Sequence, residues 1–304
     1  MTDLGVVIVN WNTRDLLRKC LQTVFASEGL TYQVVVVDNA STDGSPAMVR
    51  QEFPNATLIT SATNDGFSRA NNKGLRWLGL EKGKNDPTAP RYGLLLNSDT
   101  EVPPNALAEM VRYMDRPEHH KVGAAGCKLW LPENKLDLAC RRSFPTPEVS
   151  FYRMMGLSKL FPHSKRFGRY NMTYLSPDVE TEVDSVVGAF MMVRRETIAQ
   201  VGLLDETYWM YGEDLDWAFR IKQAGWKIMY NPAVTVLHVK RASSRKSKRA
   251  KIAFTEAMVK FYQEHYRQTT PWWLHLLVMT GLTIKGGPAH WSARLHKPHP
   301  TATN

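Results

Sequence analysis

Cysteine is scarce in this 304-residue chain: Cys20, Cys127 and Cys140 are the only three. They are far apart, odd in number and without metal-ligand spacing. That excludes a disulfide-stapled scaffold and a cysteine zinc site, and it favours a reducing, cytoplasmic setting. Long apolar runs are also missing. The opening "MTDLGVVIVNWNT" has no basic stretch followed by an extended hydrophobic one, so no secretory signal is expected. The most apolar segment, "PWWLHLLVMTGLTI" at 271–284, falls well short of the ~20 residues that span a bilayer. G-x-G-x-x-G and G-x-x-x-x-G-K-[ST] are absent, and the first absence argues against a nicotinamide-dependent oxidoreductase. There is no internal repeat.

Positive charge, by contrast, is plentiful. Lys and Arg number 39 against 29 Asp and Glu, a formal net charge of +10. Such an excess points to an anionic partner: nucleic acid, a phosphorylated ligand or an anionic membrane. Placement separates these. "KRASSRKSKRAK" at 240–251 holds seven cationic residues and no acid. A nucleic-acid binder instead spreads basic residues as a stripe with exposed aromatics, or over a helix-turn-helix, so no nucleic-acid partner is expected. The basic run precedes an amphipathic stretch, "IAFTEAMVKFYQEHY", and the Trp-led apolar segment. That combination suits an anionic membrane surface, where each Lys or Arg adds about 1 kcal/mol. The alternative is a solvated basic loop beside a core helix. The tail "HKPHPTATN" is expected to be disordered.

Apolar residues make up 43% of the chain and charged residues 22%, enough for a sizeable core. β-Branched apolar runs at 5–11, 32–41, 56–61 and 92–102 read as strands, with helical spacing at 13–27, 42–53, 66–80 and 104–116. The alternation predicts an α/β fold with a mostly parallel, doubly wound sheet, whose ligands bind outside the carboxyl ends of the strands. "GAAGCKLWL" reads as a further strand, 183–202 as strand then helix, and 226–239 as two short strands about a Pro-marked turn. Residues 143–178 show no clear period and read as a long loop with short helices, of the kind that shapes a binding site.

Chemistry gathers at the strand ends. Asp38 closes the second strand in "VVVVDNASTDGS" and Asp99 the fourth in "LLLNSDTEV", which puts both in one site. Asp38 serves either a ligand or an Asx turn. Asp99 suits a hard divalent cation, Mg²⁺ or Mn²⁺, bridging a diphosphate; otherwise it is a solvated turn acid. His238 ends the last strand, as a metal ligand or as a partly buried polar residue. "WMYGEDLDWAFRIKQAGWKI" packs Glu213, Asp214 and Asp216 into four positions. Acids in a first helical turn gain ~0.3–1 kcal/mol each from the helix dipole. A carboxylate at a cleft edge also acts as a general base, worth ~10²–10⁴ in rate.

In order, "NWNTRDLLRKCLQTV", "VVVVDNASTDGS", "NDGFSRANNKG", "LLLNSDTEV", "VVGAFMMVRRE", "GLLDETYWMYGEDLDWAFRIKQAGW" and the final "LH" resemble glycosyltransferase family 2, and most narrowly its bacterial rhamnosyltransferase-like members. The resemblance covers about residues 4–245. It implies a GT-A fold: a Rossmann-like nucleotide half (about 1–120) joined to an acceptor half (121–245), with a mostly parallel central sheet flanked by helices. The change of composition beyond sets off a C-terminal helical, membrane-interfacial extension at 246–304.

The activity implied is inverting transfer of a sugar from a nucleotide donor to a hydroxyl of a glycan or polyprenyl-diphosphate-linked acceptor. Its setting is cell-surface polysaccharide synthesis, at the inner face of the plasma membrane. dTDP-rhamnose is the first-choice donor; UDP-galactofuranose, UDP-hexoses and GDP-sugars remain alternatives, as does a non-catalytic relative that only binds sugar nucleotide. By the same likeness Asp38 contacts the donor base, with Asn10 and Asn12 nearby, and Asn64, Gly66 and Asn71 line nucleotide and sugar. Asn97, Ser98 and Asp99 stand for the family's D-x-D-like element, with Asn97 replacing its first acid. Asp99 then holds the metal, and His238 compensates for the lost carboxylate. Asp214 is the implied general base, and Glu213 orients it or contacts the acceptor. Trp209 and Tyr211 stack on an acceptor sugar, and Asp216 and Trp217 are structural. Of the residues expected after the His, Ser243 and Ser244 match but the glycines do not; Lys240, Arg241 and Arg245 reach the diphosphate instead.

Overall fold

A computed structural model describes residues 2–84, 86–240 and 248–286. Strands and helices alternate at the start: β1 (Leu4–Asn10), α1 (Arg14–Phe25), β2 (Tyr32–Asp38), α2 (Ser45–Glu52), β3 (Thr57–Thr60), α3 (Phe67–Trp77) and β4 (Tyr92–Asn97). β1 pairs in parallel with both β2 and β4, and β2 with β3. Helices cover both faces, so Val6, Val7 and Ile8 are buried in succession, as are Val34 to Val37. α1 turns Leu17, Cys20, Leu21 and Val24 inward, the three-to-four spacing of one helical face. α3 comes close enough to β1 that a Cβ on Gly74 would lie 2.4 Å from Val7 Cγ1.

The strand expected over 92–102 stops at Asn97, turns through Ser98 and Asp99, and resumes as β5 (Thr100–Glu101). The chain continues through α4 (Ala106–Met114), β6 (Val122–Leu131), β7 (Lys135–Leu136), α5 (Pro147–Met154), α6 (Leu157–Leu160), β8 (Thr181–Glu182), β9 (Phe190–Arg194) and α7 (Arg195–Val201). α8 (Glu213–Gln223), β10 (Lys227–His238), α9 (Lys248–His265) and α10 (Trp272–Gly286) follow. Ten strands among the described residues form one sheet, ordered β3-β2-β1-β4-β9-β6-β10-β5, with β7 on β6 and β8 on β10. β6 and β10 are parallel, while β9 runs antiparallel between β4 and β6.

Residues 226–239 differ from expectation. They form one strand, β10, rather than two about a turn. Asn231 pairs with Cys127 and Thr235 with the next residue, Lys128, so 232–234 bulge out of the ladder. Pro232 lacks an N–H, and a bulge is where a strand tolerates that. The strand therefore runs on to His238, which pairs with Thr100 of β5.

Ala257 and Phe261 of α9 cluster with Leu215 of α8 and with Tyr208 from the loop before it. α10 is not a core helix: Trp272 is 73% exposed, Trp273 53%, Leu276 56% and Leu277 55%. Among the described residues no helix is long and apolar enough to cross a membrane. Arg241, Ser243, Ser244, Arg245 and the tail "HKPHPTATN" lie outside the described residues.

Candidate active site

Most of the expected donor residues meet at the ends of β1, β2 and β4. Asn10 Nδ2 donates to Asp38 Oδ1 at 2.9 Å and to Ser41 Oγ at 3.1 Å. Its Oδ1 accepts from Thr13 Oγ1 at 2.7 Å, and Thr13 Oγ1 lies 3.0 Å from Ser98 Oγ. Asp38 Oδ2 accepts from the Ser41 N–H at 2.8 Å. Asn12 takes left-handed backbone, φ +53°, and its Oδ1 accepts from the Thr42 N–H at 2.8 Å. The Asx-type turn is thus real, and Asp38 is a buried carboxylate already held on both oxygens.

A second loop is clamped against the acidic motif. Asn64 Oδ1 accepts from the Gly66 N–H at 3.0 Å, and Asn39 Nδ2 donates to Gly66 O at 2.9 Å. Gly66 has φ +86°, and a Cβ there would fall 2.3 Å from Trp209 O. That carbonyl accepts from the Phe67 N–H at 2.7 Å. Only glycine fits such an approach. Asn71 is buried, and its amide turns back to donate to Phe67 O in its own helix at 2.9 Å.

The β5–β10 pairing brings His238 to Asp99. His238 Nε2 is 3.4 Å from Asp99 Oδ1 and 3.3 Å from Asn97 Nδ2. Its Nδ1 faces Asp137 Oδ2 at 3.0 Å, and Asp137 also accepts from Lys240. Burial disfavours charge on this imidazole, but its bonds to Asp137 and Asp99 outweigh that and push its pKa up to about 9. Burial also works against the Asp137 carboxylate, yet His238 and Lys240 hold its pKa well below the usual range.

With Nδ1 fixed by a carboxylate, Nε2 is the nitrogen turned to Asp99. Once Nε2 has given up its proton this would be the arrangement of a metal-binding imidazole with its outer partner, and Asp99 and His238 would then fit one divalent cation. A nitrogen in the set favours Mn²⁺ over Mg²⁺, which keeps to oxygen ligands. Asp137→Asn is expected to weaken Mn²⁺ binding ~10–100-fold, read by calorimetric titration with nucleoside diphosphate present. Unchanged affinity would remove His238 from the ligand set.

The acids lie a short step away. Asn97 N–H donates to Ala189 O at 3.1 Å, and Gly188, next in line, donates its N–H to Asp214 Oδ2 at 3.1 Å. Arg142 Nη2 donates to the same Oδ2 at 2.7 Å, and both partners of this ion pair are buried. Glu213 is 5% exposed, and its Oε2 has no hydrogen-bond partner. Burial, then the neighbouring Asp214, push its pKa up to about 8.

That shift sets a pH dependence. Folded Glu213 keeps its proton between the ordinary value of 4.5 and about 8, whereas the unfolded chain releases it. Its contribution to stability therefore falls as pH rises through this window. Glu213→Gln removes the loss, so its Tm relative to the parent is expected to climb between pH 5 and pH 9. A constant difference across that range would mean that Glu213 ionises normally.

Trp209 and Tyr211 flank this motif with their rings partly occupied. The Arg249 guanidinium sits 4.1 Å from the Trp209 ring centroid, and Phe254 meets Tyr211 edge-on at 5.7 Å. Asp216 accepts from Arg220 at 2.8 Å and faces His265 Nε2 at 3.0 Å, and Trp217 is fully buried with its Nε1–H donating to Gly202 O. Among the described residues, Asp216, Glu264 and His265 are the one group of three metal-ligating side chains within 4.8 Å of each other. Asp216 is already committed to Arg220, and Glu264 to Tyr208 and Lys260.

Sequence reasoning missed Arg142, Asp137 and Gly188. The two side chains find their partners 72 and 101 residues away, so no local pattern marks them. The one available signal for Arg142 was a charged pair, Arg141 and Arg142, following the apolar "LAC".

A family model described as Glycosyltransferase like family 2 matches residues 2–254. The N-acetylglucosaminyl-diphospho-decaprenol L-rhamnosyltransferase of Mycobacterium tuberculosis is 29% identical over 246 residues, 80% of this chain and 78% of that protein. Rhamnosyltransferase WbbL of Escherichia coli is 26% identical over 245 residues, 79% of this chain and 84% of its own. The mannosyltransferase PcManGT of Pyrobaculum calidifontis, solved with GDP-Man and Mn²⁺, shares the fold with a TM-score of 0.57 at 18% identity, over 98% of this chain and 78% of its own. GalNAc-T7, solved with UDP, GalNAc and Mn²⁺, gives 0.59 at 14% identity, over 89% and 52%. These neighbours have the GT-A fold, an α/β sheet flanked by helices like the one described above. With the family match spanning most of its length, the chain belongs to glycosyltransferase family 2.

Proposed function

We propose that the chain is an inverting, metal-dependent transferase. It moves L-rhamnose from dTDP-rhamnose to a hydroxyl of a polyprenyl-diphosphate-linked glycan in cell-surface polysaccharide synthesis. The observation that carries this reading is one connected ridge at the strand ends. Asp99 and His238 stand at one end and Asp214 at the other, joined by the Asn97–Ala189 and Gly188–Asp214 hydrogen bonds. The two relatives named as rhamnosyltransferases support the choice of sugar, and the name of one supports the diphospho-polyprenol acceptor.

In this reading the donor base and ribose lie over Asn10, Asn12 and Asp38, and the sugar over Asn64 and Gly66. Asp99 and His238 would hold Mn²⁺, which would neutralise charge on the departing diphosphate. The acceptor hydroxyl attacks the anomeric carbon from the face opposite the diphosphate. The new C–O bond forms as the old one breaks, the nucleoside diphosphate leaves with the electron pair, and the configuration inverts. Asp214 takes the hydroxyl proton on Oδ1, the oxygen that neither Arg142 nor Gly188 occupies. Glu213, protonated at neutral pH, donates a hydrogen bond to the acceptor. Trp209 and Tyr211 offer ring edges to the acceptor sugar.

The division into a nucleotide half to about residue 120, an acceptor half to 245 and a helical extension beyond belongs to the same proposal. So does a place on the cytoplasmic face of the membrane, which the exposed Trp272 and Trp273 support.

The test is donor binding and turnover over dTDP-rhamnose, UDP-sugars and GDP-sugars, with and without Mn²⁺ or Mg²⁺. The expected result is Mn²⁺-dependent release of dTDP from dTDP-rhamnose and a product of inverted configuration. Turnover of a UDP- or GDP-sugar alone would reassign the donor, and failure to bind any donor would overturn the reading.

A further inference from the structure

A cavity of about 100 Å³ lies between α5, α9 and α10. Its wall is largely hydrocarbon: Phe151 and Met154 from α5, Phe254 and Met258 from α9, Leu277 and Val278 from α10. No residue of the proposed chemistry lines it. Its inner wall, however, is the helix that backs the acidic motif. Phe254 meets Tyr211 edge-on, and Ala257 packs so tightly on Gly212 that a Cβ there would lie 3.1 Å from it. Gly212 directly precedes Glu213 and Asp214. One helix thickness therefore separates an apolar cavity from the proposed base.

The opposite end of the cavity opens outward. Phe151, Met154 and Leu277 line it and are also exposed, at 42%, 42% and 55%. Met155, Leu160 and Phe161 on the same α5–α6 stretch, and Trp272, Trp273 and Leu276 on α10, are exposed as well. Exposed large apolar residues gathered in one patch mark an interaction surface. Residues 149–177 add five cations, Arg153, Lys159, Lys165, Arg166 and Arg169, and no acid. Arg153 lines the cavity, holds its guanidinium 4.2 Å from the Tyr170 ring and makes no ion pair among the described residues.

We infer that this cavity takes one isoprene unit of the acceptor's lipid chain, with the rest of the chain along the exposed apolar residues of α5–α6 and α10 on the membrane surface and Arg153 beside the diphosphate. An apolar channel with a cation at its wall and a basic, Trp-bearing rim matches a long hydrocarbon chain ending in diphosphate. The inference rests on the lipid-linked acceptor proposed above, and it extends the membrane face to α5–α6, a segment with no apolar pattern in the sequence.

The test is calorimetric binding of farnesyl diphosphate, geranyl diphosphate and inorganic diphosphate to the full chain, with dTDP binding measured alongside as a control. Farnesyl diphosphate is expected to bind at least ~10-fold tighter than geranyl diphosphate, because five more carbons leave water, and inorganic diphosphate is expected to bind weakest. Val278→Phe, which fills the cavity far from the acidic motif, should weaken farnesyl diphosphate at least ~10-fold and leave dTDP affinity unchanged. Val278→Ala, which enlarges it, should leave farnesyl binding measurable and so guards against a folding artefact. Equal affinity for farnesyl and inorganic diphosphate, or indifference to Val278→Phe, would overturn the inference. So would a stable dimer that farnesyl diphosphate does not dissociate, which would assign the surface to a second copy. Loss of dTDP binding in the parent would count against the transferase reading instead, and leaves the chain-length comparison interpretable.

Discussion

Asp214→Asn is expected to lower turnover by ~10²–10⁴ while donor affinity stays at the parent level, the signature of a lost general base. The geometry makes the substitution a clean one. Asp214 Oδ2 receives Arg142 Nη2 at 2.7 Å and the Gly188 N–H at 3.1 Å. An Asn side chain satisfies both by placing its carbonyl oxygen there. Its NH₂ then falls where Oδ1 stood and cannot accept a proton. Shape and both hydrogen bonds persist, while the basicity is lost together with the charge that pairs the buried Arg142, so a lower stability is expected alongside the lost turnover. Glu213→Gln supplies the contrast. Gln mimics the protonated acid that burial and Asp214 favour, so its turnover at pH 7 should stay within ~10-fold of the parent, the lower bound for losing an acid–base catalyst being larger. If Glu213→Gln fell as far as Asp214→Asn, the base would be Glu213.

The largest effect on stability is expected at Arg142. Arg142→Ala should cost ~3–5 kcal/mol, because it strands a buried carboxylate. The guanidinium also donates to Val186 O at 2.7 Å and lies 3.2 Å from Ser185 Oγ. Its loss therefore removes one of two donors to that carbonyl, with Ser185 Oγ remaining at 2.9 Å, and strands a charge. Arg142→Met combined with Asp214→Leu should recover much of the loss, since an apolar pair of similar volume carries no buried charge. Urea unfolding of the two variants against the parent reads this directly, with the slope of the transition unchanged. A cost below ~1 kcal/mol for Arg142→Ala would be the value of a solvated pair, and would mean that water reaches Asp214 in the free protein.

The first half of the fold was legible in the sequence because its signals are local. The apolar runs of β1, β2 and β4 are buried on both faces and need no partner to be recognised. Asp38 and Asp99 follow from the same logic, since a charged residue directly after such a strand has to emerge at its carboxyl end. The second half depends on distant partners. Pro232 reads as a turn, yet the parallel ladder of β6 holds both sides of it in one strand through a bulge. Arg142 and Asp137 lie in stretches without period and acquire meaning only beside Asp214 and His238. The apolar character of α10 was plain, but whether it faces core or surroundings is decided by how α9 and α5 pack against it.

The most direct measurement is a Mn²⁺ titration followed by electron paramagnetic resonance, with and without dTDP, on the parent and on Asp99→Ala. The proposed function predicts that dTDP tightens Mn²⁺ binding in the parent and that Asp99→Ala abolishes the coupling. Mn²⁺ binding that ignores dTDP, or coupling that survives in Asp99→Ala, would contradict a nucleotide-sugar site built on the Asp99–His238 pair.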